Sequence, residues 1–151
     1  MIIKGSGYEV TGESVEYTSP CPDCAAALTC SGGQELVGST LEWSIEYHCP
    51  TCGWALADCG RGDLPDSLRG RLLAEHGPAR LQLADPAAGA VTVMKVLRAE
   101  LGGDLAHAKA TLHRIRTGTY VGTLAERALL AMRLQDAGIE PLITRPRVTQ
   151  P

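Results

Sequence analysis

The sequence predicts an α+β protein in two unlike parts. The first is a small antiparallel β unit over residues 1–62. A helix over 63–78 follows, and then a β-α-α-β-α-β sandwich over 79–145, with its helices on one face of an antiparallel sheet. A tail occupies 146–151. Three observations predict this. The stretch STLEWSIEYHC alternates: Leu41, Trp43, Ile45 and Tyr47 point one way, and Glu42, Ser44, Glu46 and His48 the other, as in a half-buried antiparallel strand. Capped segments of helical length replace that alternation in the second half. The charge also reverses. Residues 1–78 carry 4 Lys and Arg against 11 Asp and Glu, a net of −7, whereas residues 79–151 carry 10 against 6, a net of +4.

In chain order, VEYTSP and ALTCSGG read as weaker strands on either side of a cysteine pair, and SGGQ reads as a turn. DLPDSLRGRLLAEHG reads as a helix, with Pro65 in its first turn, Leu68, Leu72 and Leu73 on one face, and Gly77-Pro78 as its stop. ARLQLAD is strand-like and PAAG turns the chain. AVTVMKVLRAEL has helical length and is closed by Gly102-Gly103. Asp104 is a good N-cap for the next helix, whose apolar face is Leu105, Ala108, Leu112 and Ile115. TYVGT reads as a short edge strand. TLAE, Thr123 to Glu126, is a capping box opening a third helix that Gly138 closes. IEPLIT reads as a strand, placed at an edge by Pro141.

Six cysteines concentrate in the acidic part. Cys21-Pro-Asp-Cys24 and Cys49-Pro-Thr-Cys52 are separated by 24 residues. Two such turns flanking a hairpin form the pattern of a zinc ribbon. Each turn aims two thiolates at one point, and four thiolates suit one tetrahedral, structural Zn²⁺ per chain with no open position for substrate. A redox Cys-x-x-Cys or a disulfide pair is the competing reading. Cys30 lies six residues past Cys24 and Cys59 seven past Cys52, so the knuckles are rough repeats. Pseudo-twofold symmetry would give Cys30 and Cys59 similar places, as buried free thiols, a disulfide or a redox-sensitive pair. His48 abuts Cys49 as an alternative ligand or an ordinary strand-face residue.

The opening MIIKGSGYEV lacks the regions of a secretory signal. No apolar run reaches the length of a bilayer span, so the expectation is a cytoplasmic chain with no membrane association, where cysteines more often hold metal than form disulfides. The acidic half has no basic cluster to replace counterions on phosphates, which argues against nucleic acid there. Trp43 and Trp54 offer rings for base stacking, or fill a small core.

The stretch VTVMKVLRAELGGDLAHAKATL, within residues 79–144, resembles the C-terminal domain of the bacterial ribosomal stalk protein, a fold shared with the Clp protease adaptor. The matches are Val91, Val93, Met94, Lys95, Val96, Arg98, Gly102, Gly103, Leu105, Ala108, Lys109 and Ala137-Gly138 before Ile139. Gly103 and Asp104 stand where that family has a usual Leu and Gly, and a cysteine-rich unit stands where it carries dimerisation helices and a hinge. The resemblance implies the fold and a binding habit. In the family one face of the first two helices binds translation GTPases. Carried over, that face is Val91, Met94, Lys95, Arg98 and Lys109. Helical spacing adds His113 and Arg116 to the side of Lys109. Apolar residues ringed by basic ones suit an acidic protein partner, and the acidic half suits a basic one. Ordinary core and a solvated basic face is the other reading of the same residues.

No phosphate loop, HExxH or nucleophile motif occurs in the sequence. The expectation is a non-enzymatic zinc-binding protein acting by protein–protein interaction, as an adaptor, regulator or immunity-type inhibitor. Ribosome or nucleic-acid association through the basic half is the alternative.

Overall fold

The computed structural model describes residues 2–5 and 8–145; the predicted tail over 146–151 lies outside them. The chain folds as two compact units, residues 1–76 and 77–151.

The first unit is a five-stranded antiparallel sheet in sequence order. Its strands are β1 (Ile2–Gly5), β2 (Tyr8–Pro20), β3 (Ala27–Val37), β4 (Thr40–His48) and β5 (Ala55–Arg61), followed by the helix α1 (Asp66–His76). The two Cys-x-x-Cys turns join β2 to β3 and β4 to β5. A two-residue turn at Gly38-Ser39 joins β3 to β4, with Val37 opposite Thr40 and Gly38 at φ +61°. Such a tight hairpin needs a residue with positive φ at its first turn position, which glycine supplies.

SGGQ is not the turn its glycines predict. It runs inside β3, where Gly32 pairs with Val15 on one side and Ile45 on the other. The glycine serves packing instead: a Cβ on Gly32 would stand 2.7 Å from Leu68 Cδ1. The missing side chain lets α1 settle on the sheet, where Leu64, Leu68 and Leu72 bury against Val15 and Ile45, flanked by Tyr17, Trp43 and Tyr47. Fully burying a leucine is worth about 1.5–3 kcal/mol, so this small face is a substantial part of the unit's stability. Polar links hold the middle and the last turn of the helix. The Arg71 guanidinium lies 3.8 Å from the centre of the Tyr17 ring, and His76 Nε2 is 2.8 Å from the Ser14 carbonyl oxygen. The segment 55–61 carries no strand signal of its own, since it lacks β-branched residues. It becomes β5 because the second knuckle returns it alongside β4.

The second unit has the predicted β-α-α-β-α-β order: β6 (Ala79–Leu83), α2 (Ala90–Leu101), α3 (Leu105–Thr117), β7 (Val121–Gly122), α4 (Leu124–Asp136) and β8 (Pro141–Thr144). The sheet is antiparallel with order β7-β6-β8, which puts the proline-bearing β8 at an edge. Leu81 and Leu83 of the central strand bury in one cluster with Val93 and Leu97 of α2, Leu112 and Ile115 of α3, and Leu130 and Leu134 of α4. The Asp104 carboxylate accepts from the His107 N–H at 2.8 Å, and both reciprocal bonds of the Thr123–Glu126 capping box form. These satisfy backbone donors that a helix start leaves without partners. Leu105 departs from its expected place on the buried face of α3. It is 47 % exposed and Leu101 is 42 % exposed, so the corner on either side of Gly102-Gly103 stands clear of the core, and Thr111 joins the buried face instead.

Candidate metal centre and candidate docking groove

The two knuckles have the same local geometry. In the first, the Cys21 N–H donates to the Ala26 carbonyl at 2.8 Å and the Ala25 N–H donates back to Cys21 at 2.9 Å. In the second, Cys49 donates to Trp54 at 2.7 Å and Gly53 donates back to Cys49 at 2.9 Å. The residue after each second cysteine takes positive φ, +61° at Ala25 and +79° at Gly53, and Ala25 is the one non-glycine residue to do so among the described residues. Each turn therefore folds back on itself and points both sulfurs to its concave side.

The four sulfurs converge. Cys21 Sγ is 3.6 Å from Cys52 Sγ, and Cys24 Sγ is 3.6 Å from Cys49 Sγ. All four lie within 4.8 Å of one another. A tetrahedron with metal–sulfur bonds of about 2.3 Å has edges of about 3.8 Å, so this cluster could hold one metal ion. The first cysteine of each knuckle is buried and the second exposed. Cys21 and Cys49 belong to an apolar cluster with Leu28 and Cys30, walled by Tyr17, Tyr47 and Trp54. The Tyr47 and Trp54 rings meet edge to face at 6.3 Å, which places Trp54 as packing beside the sulfurs.

The electrostatics fit a site that gathers positive charge. Backbone N–H groups of Cys52 and Thr51 lower the Cys49 thiol from 9.0 to about 6, with the Cys24 and Cys52 thiols contributing against burial. Cys52 is lowered by the Trp54 N–H, but burial and its hydrogen bonds to Cys21 and Cys49 outweigh that and push it up to about 12. Charge on Cys49 is accommodated, while the Cys24 and Cys52 thiols beside it are pushed up, because like charges this close resist a second ionisation. A cation removes that conflict.

Among the remaining predicted residues of this unit, His48 is exposed, opposite Thr29, outside the sulfur cluster. Cys30 and Cys59 do not occupy similar places. Cys30 pairs with Tyr47 and is fully buried on the face under α1, whereas Cys59 pairs with Ser44 and is exposed on the opposite, open face. Their distances from the preceding cysteine differ by one residue, and a one-residue shift in a strand reverses the face. Both are free thiols.

In the second unit, α2 and α3 enclose a groove of about 280 Å³ lined by Ala90, Met94, Lys109, Leu112, His113 and Arg116. Four of the predicted partner-binding residues thus come together, with Ala90 and Leu112 as apolar floor that spacing did not single out. Val91 is 64 % exposed beside them, and Lys95 and Arg98 are exposed on α2. Met94 is half-buried and also packs on the core. No helix among the described residues is long and apolar enough to cross a membrane. Comparison of the chain with protein-family models, with curated proteins and with solved structures finds no match.

Proposed function

We propose that this chain is a non-enzymatic, zinc-stapled protein that works by binding another protein, with Cys21, Cys24, Cys49 and Cys52 holding one structural Zn²⁺ and the α2–α3 groove taking an acidic partner segment. Four thiolates without a gap in the set suit zinc in a closed, structural role. The same closure leaves no place for a metal-bound water, so the metal's work is to tie two hairpins together. The observation that carries the binding reading is the groove. Met94, Ala90 and Leu112 give it an apolar floor, Lys109, His113 and Arg116 a basic rim, and Val91 stands exposed beside it. Apolar contact with a cationic border favours a partner that brings both an apolar anchor and carboxylates. The likeness of VTVMKVLRAELGGDLAHAKATL to the ribosomal stalk domain points to the same pair of helices. An adaptor, a regulator and an inhibitor are all compatible with this chemistry.

The test is a pull-down from the native host with the metal-loaded chain and with a Lys109→Glu, Arg116→Glu double variant. Both residues are exposed, so the melting temperature should stay within a degree or two while nuclease-resistant capture of the partner is lost. Capture that persists in the variant would move the docking site off the groove. Capture that disappears on nuclease treatment would favour nucleic-acid or ribosome association instead.

A further inference from the structure

The sulfur cluster contains two kinds of cysteine. Cys21 and Cys49 are buried, whereas Cys24 and Cys52 are exposed. Each exposed sulfur has a buried sulfur of the other knuckle 3.6 Å away: Cys49 for Cys24, and Cys21 for Cys52. A small oxidant arriving from solvent therefore meets Cys24 or Cys52 first, and each already has a thiol partner across the gap.

The backbone favours bonds across that gap over bonds within a knuckle. A proline follows the first cysteine of each turn, Pro22 and Pro50. It fixes its own φ and restricts the cysteine before it. Two hydrogen bonds brace each turn on its first cysteine: Cys21 N–H to the Ala26 carbonyl and Ala25 N–H to the Cys21 carbonyl, with the matching pair at Cys49. Joining Cys21 to Cys24, or Cys49 to Cys52, has to pinch one of these braced turns. Joining one knuckle to the other asks only that two neighbouring turns lean together. Both leave the same end of the sheet, where Thr29 and His48 are the end pair of β3 and β4. Among the described residues no backbone hydrogen bond outside the strands links 21–26 to 49–54.

We infer that the cluster is a peroxide-responsive clasp: oxidation expels the metal and joins Cys24 to Cys49 and Cys21 to Cys52, so that the knuckles stay tied. The release of metal rests on the zinc reading proposed above. The Cys24 thiolate attacks one oxygen of hydrogen peroxide and the O–O bond breaks, leaving a sulfenic acid and hydroxide. The Cys49 thiolate then attacks that sulfur, forms the S–S bond and displaces a second hydroxide. Two electrons pass from the sulfur pair to the peroxide. Cys52 and Cys21 react in the same way with a second peroxide. The thiolate is the metal ligand, so the closed set of four is broken at the first disulfide. A dithiol reductant reverses both bonds. Cys30 is fully buried and Cys59 lies on the open face of the sheet, so neither takes part.

The experiment uses the full chain carrying Cys59→Ser, which removes the exposed thiol outside the cluster and any disulfide it could form between chains. The zinc-loaded protein is treated with hydrogen peroxide while a chromogenic chelator reports free zinc. It is then alkylated in denaturant, cut with a glutamate-specific protease and analysed by mass spectrometry. Cleavage after Glu35, Glu42 or Glu46 separates the knuckles unless a disulfide joins them. The expected result is release of the bound zinc and one linked mass holding both knuckles, with Cys30 the alkylated thiol. The near-ultraviolet signal of Tyr47 and Trp54 should persist in the oxidised chain, although chelation of the reduced chain abolishes it, and dithiothreitol should restore zinc binding. Two separate knuckle masses, each with its own internal disulfide, would overturn the inference, as would zinc that stays bound in excess peroxide. A chain that binds no zinc beforehand counts against the metal reading and the release that rests on it, and the digest of the metal-free chain still decides the pairing.

Discussion

Ala25 and Gly53 occupy the same position in the two knuckles and adopt the same left-handed backbone, but only one is a glycine. For an L-residue that conformation costs about 1–2 kcal/mol, and glycine's larger freedom in the unfolded chain offsets about 0.5–1 kcal/mol of the gain. Gly53→Ala should therefore destabilise the metal-loaded protein by about 1 kcal/mol. Ala25→Gly should be neutral to slightly stabilising, and thermal denaturation of the two variants checks both signs. Equal losses would show that the knuckles are not equivalent. The free thiols also differ at this scale. Cys59 should react with an alkylating reagent in the folded protein and Cys30 only after unfolding, since burial both shields Cys30 and raises its pKa. Mass spectrometry of the alkylated chain reads this directly, and rapid labelling at Cys30 would contradict its place under α1. The difference was present in the spacing: six residues from Cys24 against seven from Cys52 is an odd offset, which in paired strands means opposite faces. Reading the knuckles as repeats hid it.

At the scale of elements, the legible parts were those with local chemistry. The Asp104 cap, the Thr123–Glu126 box and the alternation of β4 name their own structures, because each depends on a few neighbouring residues. The parts that misled depend on contacts distant in sequence. Gly32 looks like a turn residue until Leu68 is brought over it, and β5 is a strand only because β4 lies beside it. Arg127, buried on α4, was legible in principle. Its spacing from Leu130, Ala131 and Leu134 placed a cation in an apolar stripe, but charge on an amphipathic helix is ordinarily assigned to the outer face. The packing of α1 makes a sharp prediction. Gly32→Ala should cost about 1–3 kcal/mol by overpacking against Leu68, although alanine suits a strand interior better than glycine does. Leu68→Ala alone should cost about 2–5 kcal/mol. In the double variant the two costs should fall short of their sum, because the smaller Leu68 replacement makes room for the new methyl group. Urea denaturation of the four proteins measures this coupling, and strict additivity would mean that the two positions do not touch.

At the scale of the whole molecule, the chain joins an acidic β-rich unit to a cationic α+β unit. The acidic unit has two apolar clusters, one under α1 and one around the sulfurs. A metal held by the four sulfurs would bear on the second. In the metal-free chain the lowered Cys49 thiol contributes stability above its ordinary value of 9.0, and that contribution is lost as pH falls through about 6. At pH 7 this thiol is already ionised in the folded site, so metal uptake by a preformed site should release fewer than four protons, whereas uptake by an unfolded segment should release nearly four. Calorimetry in buffers of different ionisation enthalpy counts them. The most direct test of the account is elemental analysis of the chain joined to near-ultraviolet circular dichroism before and after chelation. The account predicts one zinc per chain, loss of the Tyr47–Trp54 signal when the zinc is removed, and an unchanged melting transition for the unit over residues 77–151. A chain that takes up no zinc from metal-supplemented medium and keeps that signal would contradict it.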